Sequence, residues 1–225
     1  MINPQQPVAQ LVLEHPEVAS IFQRHRIDFC CRGDQSLRSA AEERKLELAR
    51  LTDELAQAIA RRNAAPPPDP RALTTQELVA HIVETHHVPL RTSLPFLKGL
   101  ATKVARVHGD RNPKLRALDA AVVDLEASLL PHLDDEEASL FPLLLSRPEA
   151  PEARRDLDAM AQEHLDVAAI LERIRNASDD FKVPEWACNS YRTLLRELEA
   201  VETDLFTHVH LENHVLKPRF AIAES

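Results

Sequence analysis

A histidine stands where an apolar residue is expected on each of four predicted helices, and two of these helices carry a glutamate one turn later. The set comprises His87, His132, Glu136, His164, His208 and Glu212. Residues at i and i+4 share one face of a helix, so each His–Glu pair can reach a single centre. A buried carboxylate without a partner is costly, and a metal ion offsets that cost by binding carboxylates and imidazoles together. The pattern therefore predicts a metal centre, and two carboxylates with four imidazoles are sufficient ligands for two ions.

The spacing of these residues repeats along the chain. His132 and His208 are 76 residues apart, and His87 and His164 are 77 residues apart. The motif His-x3-Glu-x3-Leu-x-Pro occurs twice, at residues 132–142 and 208–218. Two similar helix pairs, related by an approximate two-fold axis, would supply two similar half-sites. The repeat therefore favours a dinuclear centre over a single ion.

Helices must position these residues, because the composition disfavours strands. The chain has only 3 glycines and 4% aromatic residues, while Leu, Ala, Glu and Arg are abundant. The glycines lie far apart, which excludes a glycine-rich phosphate loop. Apolar residues at alternating spacings of three and four predict helices over 74–107, 113–146, 151–176 and 184–217. Short connections between these helices predict an all-α, up-down-up-down four-helix bundle.

A proline-rich segment, NAAPPPDPR at residues 63–71, divides the chain. Proline cannot continue a helix and stiffens an extended segment, so we expect a linker there. It would join a small N-terminal helical domain, residues 1–62, to the bundle, residues 72–225. Because about 60 residues form a marginal core, we expect docking or homodimerisation to support the N-terminal domain.

The net charge limits the classes of partner that the protein is expected to bind. The chain carries 27 Lys and Arg against 36 Asp and Glu, a formal net charge of -9. Nucleic acids and anionic membranes attract basic surfaces, so we expect neither as a partner. No apolar run approaches the ~18 residues of a membrane helix, and the N-terminal residues lack the pattern of a signal peptide. We therefore expect a cytoplasmic protein.

Two of the three cysteines, Cys30 and Cys31, are adjacent. An odd set of this kind does not indicate a disulfide framework, and adjacent cysteines lack the usual spacing and partners of a zinc site. Two hypotheses stay open: two small residues at a turn, or a redox-active pair whose thiolate is stabilised by Arg32. Cys188, beside Trp186, is expected to fill the core.

The ligand pattern and the double cysteine together resemble the Repair of Iron Centres family. The six predicted metal ligands match the ligands of that family's hemerythrin-like di-iron bundle, and D-F-C-C-R-G at 28–33 is similar to its ScdA-type domain. Further matches are K-V-A-R-V-H-G-D at 103–110, L-F-P at 140–142 and L-E-N-H-V-L at 211–216. The resemblance covers both domains. An oxygen-carrying hemerythrin differs, because it has a fifth histidine, which is missing here, and an aspartate where Glu212 stands.

The resemblance implies a non-haem di-iron protein that repairs iron–sulfur clusters damaged by nitrosative or oxidative stress, with donation of iron as the leading hypothesis. In the family the four histidines are terminal ligands, the two glutamates bridge the irons, and an oxo or hydroxo group forms a further bridge. The resemblance also implies that Cys30 and Cys31 handle nitric oxide or iron. The implied partners are damaged iron–sulfur proteins and small ligands such as nitric oxide, oxygen or peroxide.

Several alternatives stay open. The same centre could capture or reduce nitric oxide, act in gas sensing, or be a structural site that binds zinc or nothing; whether the protein is an enzyme is left open. Pro89 lies two residues after His87 and could kink the first helix, which makes His86 the alternative ligand. Lys217 stands where the second helix has Phe141.

Overall fold

Helices account for all the regular secondary structure of residues 2–61 and 69–220, which the computed structural model describes. A single bridging pair, Pro7 with Ser36, is the only extended pairing in those ranges. The predicted all-α fold class is therefore confirmed. Residues 63–68 of the predicted linker lie outside the described residues, and Pro70–Ala72 forms a 3-10 turn.

The chain forms two compact units whose bounds differ from a division at the proline-rich segment. Unit 1 comprises Met1–Thr74 together with Phe206–Arg219, and unit 2 comprises Thr75–Leu205 together with Phe220–Ser225. A segment near the end of the chain thus belongs to the same compact unit as the N-terminal helices.

The described N-terminal residues of unit 1 form four short α-helices, α1 (Val8–Glu14), α2 (Ala19–Arg24), α3 (Leu37–Glu43) and α4 (Leu48–Ala60). Their apolar faces share one core, which includes the fully buried Phe22, Phe29 and Leu55. Val209, from the C-terminal segment, is buried in the same core, and Phe206 packs against it. The segment therefore enlarges a core that would otherwise be small.

Unit 2 is built from long helices. α5 (Thr75–Ile82) continues through the first π turn, Val83–His87, into α6 (Val88–His108), and α7 (Lys114–Asp135) continues through the second π turn, Glu136–Leu140, into α8 (Phe141–Ser146). α9 spans Pro151–Ala177 and α10 spans Asn189–Leu211. α6 packs on α7, and α7 packs on α9. The buried ion pair between Arg175 and Glu202 joins α9 to α10, so the long helices pack on one another as the predicted helical bundle requires.

The fourth bundle helix begins at Asn189, so the predicted start at residue 184 is too early. Three successive residues, Asp179, Asp180 and Phe181, have left-handed φ values of 52°, 56° and 57°, which a right-handed helix does not admit. The Arg192 side chain then donates hydrogen bonds to the carbonyls of Ala187 and Glu185. These bonds hold residues 185–187 as a loop that precedes the helix.

Every π turn lies two residues before a proline. The third π turn, Glu212–Leu216, follows α10, and the three prolines are Pro89, Pro142 and Pro218. In each turn an N–H group bonds to a carbonyl five residues earlier, as Val88 does to Val83. Proline lacks an N–H group and its ring clashes with the carbonyl four residues earlier, which the wider π turn relieves. The helix therefore passes Pro89 and continues to His108.

Candidate metal centre

All six predicted metal ligands are buried. Their exposed fractions run from 0% for His87, His208 and Glu212 to 5% for His132. Ionised carboxylates are rarely buried in an apolar core unless they are paired or bind a metal. The burial of Glu136 and Glu212 therefore indicates that these carboxylates are paired with other groups or bind a metal ion.

Glu136 lies between two imidazoles of unit 2. Its Oε2 atom is 3.5 Å from Nε2 of His87, and its Oε1 atom is 3.3 Å from Nε2 of His132. The Glu136 carboxylate thus presents one oxygen to each ring nitrogen. This is the arrangement that a carboxylate shared between two adjacent metal ions requires.

His164 joins the same group. Its ligand atom and those of His132 and Glu136 all lie within 4.8 Å of one another. The rings of His132 and His164 meet edge to face, with their centroids 5.0 Å apart. Unit 2 therefore brings together four of the six predicted ligands, and imidazole with carboxylate is a donor set that suits iron.

The other two predicted ligands, His208 and Glu212, form a pair within unit 1. Nε2 of His208 is 2.9 Å from Oε1 of Glu212. Glu212 is the first residue of the third π turn, as Glu136 is of the second. The structure thus gives both His-x3-Glu motifs the same local backbone and the same contact between Nε2 and the glutamate.

Carboxylates outside this group fix the orientation of two of the histidines. Nδ1 of His87 donates to Oε1 of Glu137 over 3.0 Å, and Nδ1 of His132 donates to Oε2 of Glu163 over 2.6 Å. Each bond leaves the Nε2 atom of the ring as the acceptor that faces Glu136. The Phe141 ring also stacks on His87 at 5.8 Å. The His87 and His132 rings are therefore held with their Nε2 atoms towards Glu136.

Arg91 supports Glu137 from the other side. Its guanidinium donates to Glu137 at 2.9 Å and to Asp134 at 2.5 Å. Burial raises the pKa of Glu137, but the hydrogen bonds from Arg91 and His87 outweigh burial and hold that pKa below its usual value. The sequence places Glu137 about 100° around the helix from Glu136, and only the packing of α6 on α7 shows that it meets His87.

His86 is buried as well, but it faces different groups. Its Nδ1 atom lies 2.7 Å from Oδ1 of Asp204, and its ring meets His81 edge to face at 5.9 Å. The contact with Glu136 is made by His87. Pro89 therefore does not rotate His86 into the place of His87.

Cys30 and Cys31 lie on a tight turn of unit 1 that Asp28 organises. Oδ1 of Asp28 accepts hydrogen bonds from the backbone N–H groups of Cys30 and Cys31, at 3.1 and 2.8 Å, and from the Cys30 thiol at 3.2 Å. The two sulfurs are 3.6 Å apart, and neither cysteine is in a disulfide. Burial, and then the neighbouring Cys31 and Asp28, raise the pKa of the Cys30 thiol well above its usual value. Arg32 pairs with Glu43 at 2.7 Å, and its stabilisation of a thiolate in this cysteine pair stays a prediction.

Side chains of the C-terminal segment bind the backbone of this turn. Nδ1 of His210 donates to the Phe29 carbonyl at 3.2 Å, while Asn213 and His214 donate to the Cys30 carbonyl at 3.1 and 2.8 Å. His210 is buried and His214 is half-buried. Burial lowers the pKa of His210 to about 4. No local pattern marks these contacts, because the turn lies some 180 residues away in sequence.

Cys188 is exposed, so the expectation that it fills the core is wrong. Its sulfur lies 3.2 Å from Nε2 of His108, whose ring contacts those of Trp186 and Tyr191. Within the described ranges, no helix combines the length and the apolar character needed to cross a bilayer.

Comparison with protein families divides the chain into two matched regions. Residues 4–59 match ScdA_N, described as a domain of unknown function (DUF542). Residues 78–220 match the hemerythrin HHE cation binding domain. The second region contains all six predicted ligands.

Similar proteins align with nearly the whole chain. The iron-sulfur cluster repair protein YtfE of Enterobacter sp. (strain 638) is 33% identical over 221 residues, covering 97% of this chain and 98% of the relative. That of Musicola paradisiaca (strain Ech703) is 33% identical over 214 residues, covering 94% of each. The iron-sulfur cluster repair protein ScdA of Staphylococcus haemolyticus (strain JCSC1435) is 31% identical over 229 residues, covering 98% of this chain and 100% of the relative.

Proposed function

Because the chain belongs to the Repair of Iron Centres family, whose members combine ScdA_N and hemerythrin HHE domains, we propose that it repairs damaged iron–sulfur clusters by donating iron from a di-iron centre. The observation that carries this proposal is the position of the Glu136 carboxylate. It presents one oxygen to His87 and the other to His132. A carboxylate so placed can be shared by two irons.

The proposed ligand set includes both halves of the repeat. The ligands are His87, His132, Glu136, His164, His208 and Glu212, with the histidines terminal, the glutamates bridging and an oxo or hydroxo group as a further bridge. Three observations support the set: each glutamate follows its histidine by four residues, each glutamate begins a π turn, and the cation-binding family model covers all six residues. π turns occur frequently at functional sites because they reposition a side chain within a helix.

The protein's own residues hold and orient the metal ligands. Glu137 and Glu163 accept hydrogen bonds from Nδ1 of His87 and His132, which leaves Nε2 of each ring as the atom that would bind a metal ion. Bound irons would supply redox chemistry and exchangeable coordination positions, since six side chains do not fill about six positions on each of two ions. Exchangeable positions favour release of iron to an acceptor and access by small ligands such as nitric oxide, oxygen or peroxide.

Cluster repair by a ligand-deficient protein provides the test. The double variant His132→Ala, Glu136→Ala should hold no iron pair and should fail to reactivate an iron–sulfur protein whose cluster has been damaged. His81→Ala is the matched control, because His81 is an exposed histidine on the neighbouring α5. Anaerobic metal analysis and Mössbauer spectra should show about two irons per chain in the intact protein and in the control.

Three results would change the proposal. Repair by the double variant without bound iron would contradict iron donation. Removal of nitric oxide by the intact protein, without transfer of iron, would instead favour the second candidate function, nitric oxide binding or reduction at the same centre. One zinc per chain would contradict the di-iron centre itself.

The cellular setting is also part of the proposal. A cytoplasmic location is supported by the cysteine content, since an odd set of three, two of them adjacent, does not indicate a disulfide framework. The partners would be iron–sulfur proteins with damaged clusters. The segment Phe206–Arg219 adds apolar residues to the core of unit 1, so that core does not require a second copy of the chain, and a homodimer stays a prediction.

A further inference from the structure

We propose that Asp28, Cys30 and Cys31 form a second metal site, which binds one thiophilic divalent cation such as Zn²⁺ or Fe²⁺. The ligand atoms of these three residues lie within 4.8 Å of one another. Two thiolates and one carboxylate are a donor set for borderline-soft ions. This site does not share a residue with the His/Glu centre and does not depend on it.

The separation of the two sulfurs matches the edge of a tetrahedral coordination sphere. Sulfurs bound at about 2.3 Å to one tetrahedral ion lie about 3.8 Å apart. Cys30 and Cys31 hold their sulfurs 3.6 Å apart. A disulfide requires about 2.05 Å, so the turn as folded suits a shared ion better than a covalent bond between the sulfurs.

Asp28 supplies the partner that adjacent cysteines lack in sequence. Its Oδ1 atom is 3.2 Å from the Cys30 sulfur and also fixes the N–H groups of Cys30 and Cys31. The same residue therefore shapes the turn and offers an oxygen ligand. On binding, the cation replaces the two thiol protons, which pass to the solvent, and solvent completes the coordination.

The backbone of the turn is fixed before any ion arrives. The Phe29 carbonyl accepts a bond from His210, and the Cys30 carbonyl accepts bonds from Asn213 and His214. Gly33 closes the turn where no side chain fits, since a Cβ there would lie 2.4 Å from the Phe29 carbonyl oxygen. A site that needs little reorganisation binds its ion more tightly than a flexible pair of thiols does.

Co²⁺ titration of the reduced, full-length, metal-free chain tests this site. Thiolate ligands produce an intense near-ultraviolet sulfur-to-cobalt charge-transfer band, whereas histidine and carboxylate ligands do not. The band should saturate at the intensity expected for one thiolate-bound Co²⁺ per chain and should disappear on addition of Zn²⁺. Co²⁺ bound at the His/Glu centre would add no such band. The band therefore reports on the cysteine site alone, whether or not the His/Glu centre binds metal.

Three variants complete the experiment. Cys31→Ser should lose the band, and Cys188→Ser, which removes the exposed third cysteine, should keep it. Asp28→Asn keeps the oxygen that accepts the two backbone N–H bonds but removes the charge, so it should retain the fold and bind Co²⁺ about ten-fold more weakly. Circular dichroism would confirm that each variant is folded.

A measurement on the unmodified chain tests the same site without any substitution. Zn²⁺ should slow the alkylation of Cys31 by iodoacetamide and leave that of Cys188 unchanged. The proposal is overturned if the intact chain shows no charge-transfer band, if the band persists undiminished in Cys31→Ser, or if Zn²⁺ does not protect Cys31.

Discussion

Glu163 shows how much a single exposed residue can contribute to a buried centre. Its carboxylate is 55% exposed, yet it accepts the Nδ1 proton of His132 at 2.6 Å. Loss of such an outer partner lowers metal affinity about 10–100-fold. Because the side chain is mostly in solvent, its removal should leave the fold intact.

We therefore expect Glu163→Ala to bind Fe²⁺ about 10–100-fold more weakly, with little change in the free energy of unfolding. Competition against a chelator would measure the affinity. Asp166→Ala, an exposed acid on the same helix α9, is the control and should bind as the unmodified chain does. Equal affinities in the two variants would contradict an orienting role for Glu163.

Gly33 and Gly99 form a natural pair for a test of backbone packing. A Cβ at Gly33 would lie 2.4 Å from the Phe29 carbonyl oxygen and 2.5 Å from both Ala9 Cβ and His214 Nε2, while a Cβ at Gly99 would meet nothing within 4 Å. Gly33→Ala should destabilise unit 1 by about 1–3 kcal/mol. Gly99→Ala, within helix α6, should stabilise the chain by about 0.5–1 kcal/mol. Urea unfolding of both variants would measure the difference, and a harmless Gly33→Ala would show that the turn can relax.

His210 makes stability depend on pH. Its pKa is about 4 in the folded chain, because burial disfavours the charged ring, against about 6.5 in an unfolded chain. The folded state thus binds fewer protons, so this contribution is complete above about pH 6.5 and is lost as the pH falls towards 4.

Between pH 7 and pH 5 the loss from His210 should be roughly 2 kcal/mol. The free energy of unfolding of the metal-free chain, measured at both pH values, would show it. His210→Gln should have a flatter pH dependence, since glutamine does not titrate. The same slope in both proteins would mean that His210 does not carry the effect.

At the scale of elements, the π turns place the glutamates of both His-x3-Glu motifs. Glu136 begins the second π turn, and Pro142 follows that turn by two residues. An alanine at 142 would restore a backbone N–H group and remove the clash with the carbonyl at 138, so the turn could close to an α-helix. Closing it would rotate Glu136 relative to His132 and its neighbours.

Pro142→Ala should therefore retain iron about ten-fold less well, while its melting temperature stays equal or rises. Pro131→Ala is a matched control, because Pro131 lies inside α7 with no π turn before it. Iron content after dialysis and thermal unfolding would separate the two properties. Unchanged iron retention in Pro142→Ala would show that the proline is not what maintains the turn.

At the scale of the whole molecule, the sequence predicts what local periodicity controls and little of what distant packing controls. The spacing of the apolar residues and the 76-residue repeat predict the bundle. They also predict that His132, Glu136 and His164 are buried, because these residues lie at apolar positions of their own helices. Glu137 and Glu163 escape prediction, since their roles depend on how α6 and α9 pack against α7.

The C-terminal segment illustrates the same limit. The membership of Phe206–Arg219 in unit 1 has no local signature, because the residues that it contacts lie at the other end of the chain. The double cysteine is visible in the sequence, but the burial of Cys30 and the organising role of Asp28 depend on the folded turn.

This segment leads to a prediction for fragments. A chain of residues 1–74 would lack Phe206 and Val209 from the core and the three side chains that bind the cysteine turn. Cys30 in that fragment should react with iodoacetamide at least about ten-fold faster than in the full-length chain, because local opening becomes easier. Cys188 of the full-length chain provides the rate for an exposed thiol. Protection of Cys30 in the fragment would contradict the contribution of the segment.

The positions of the π turns also indicate the order in which the insertions arose during evolution. Such a turn is one extra residue inserted into an α-helix. The second and third turns lie at equivalent positions of the 76-residue repeat, whereas α9 runs unbroken where the first turn would have its counterpart. If the two halves descend from a duplicated ancestor, the insertion next to the glutamate was already present in that ancestor. The insertion before His87 was then acquired, or its counterpart lost, after the halves had separated.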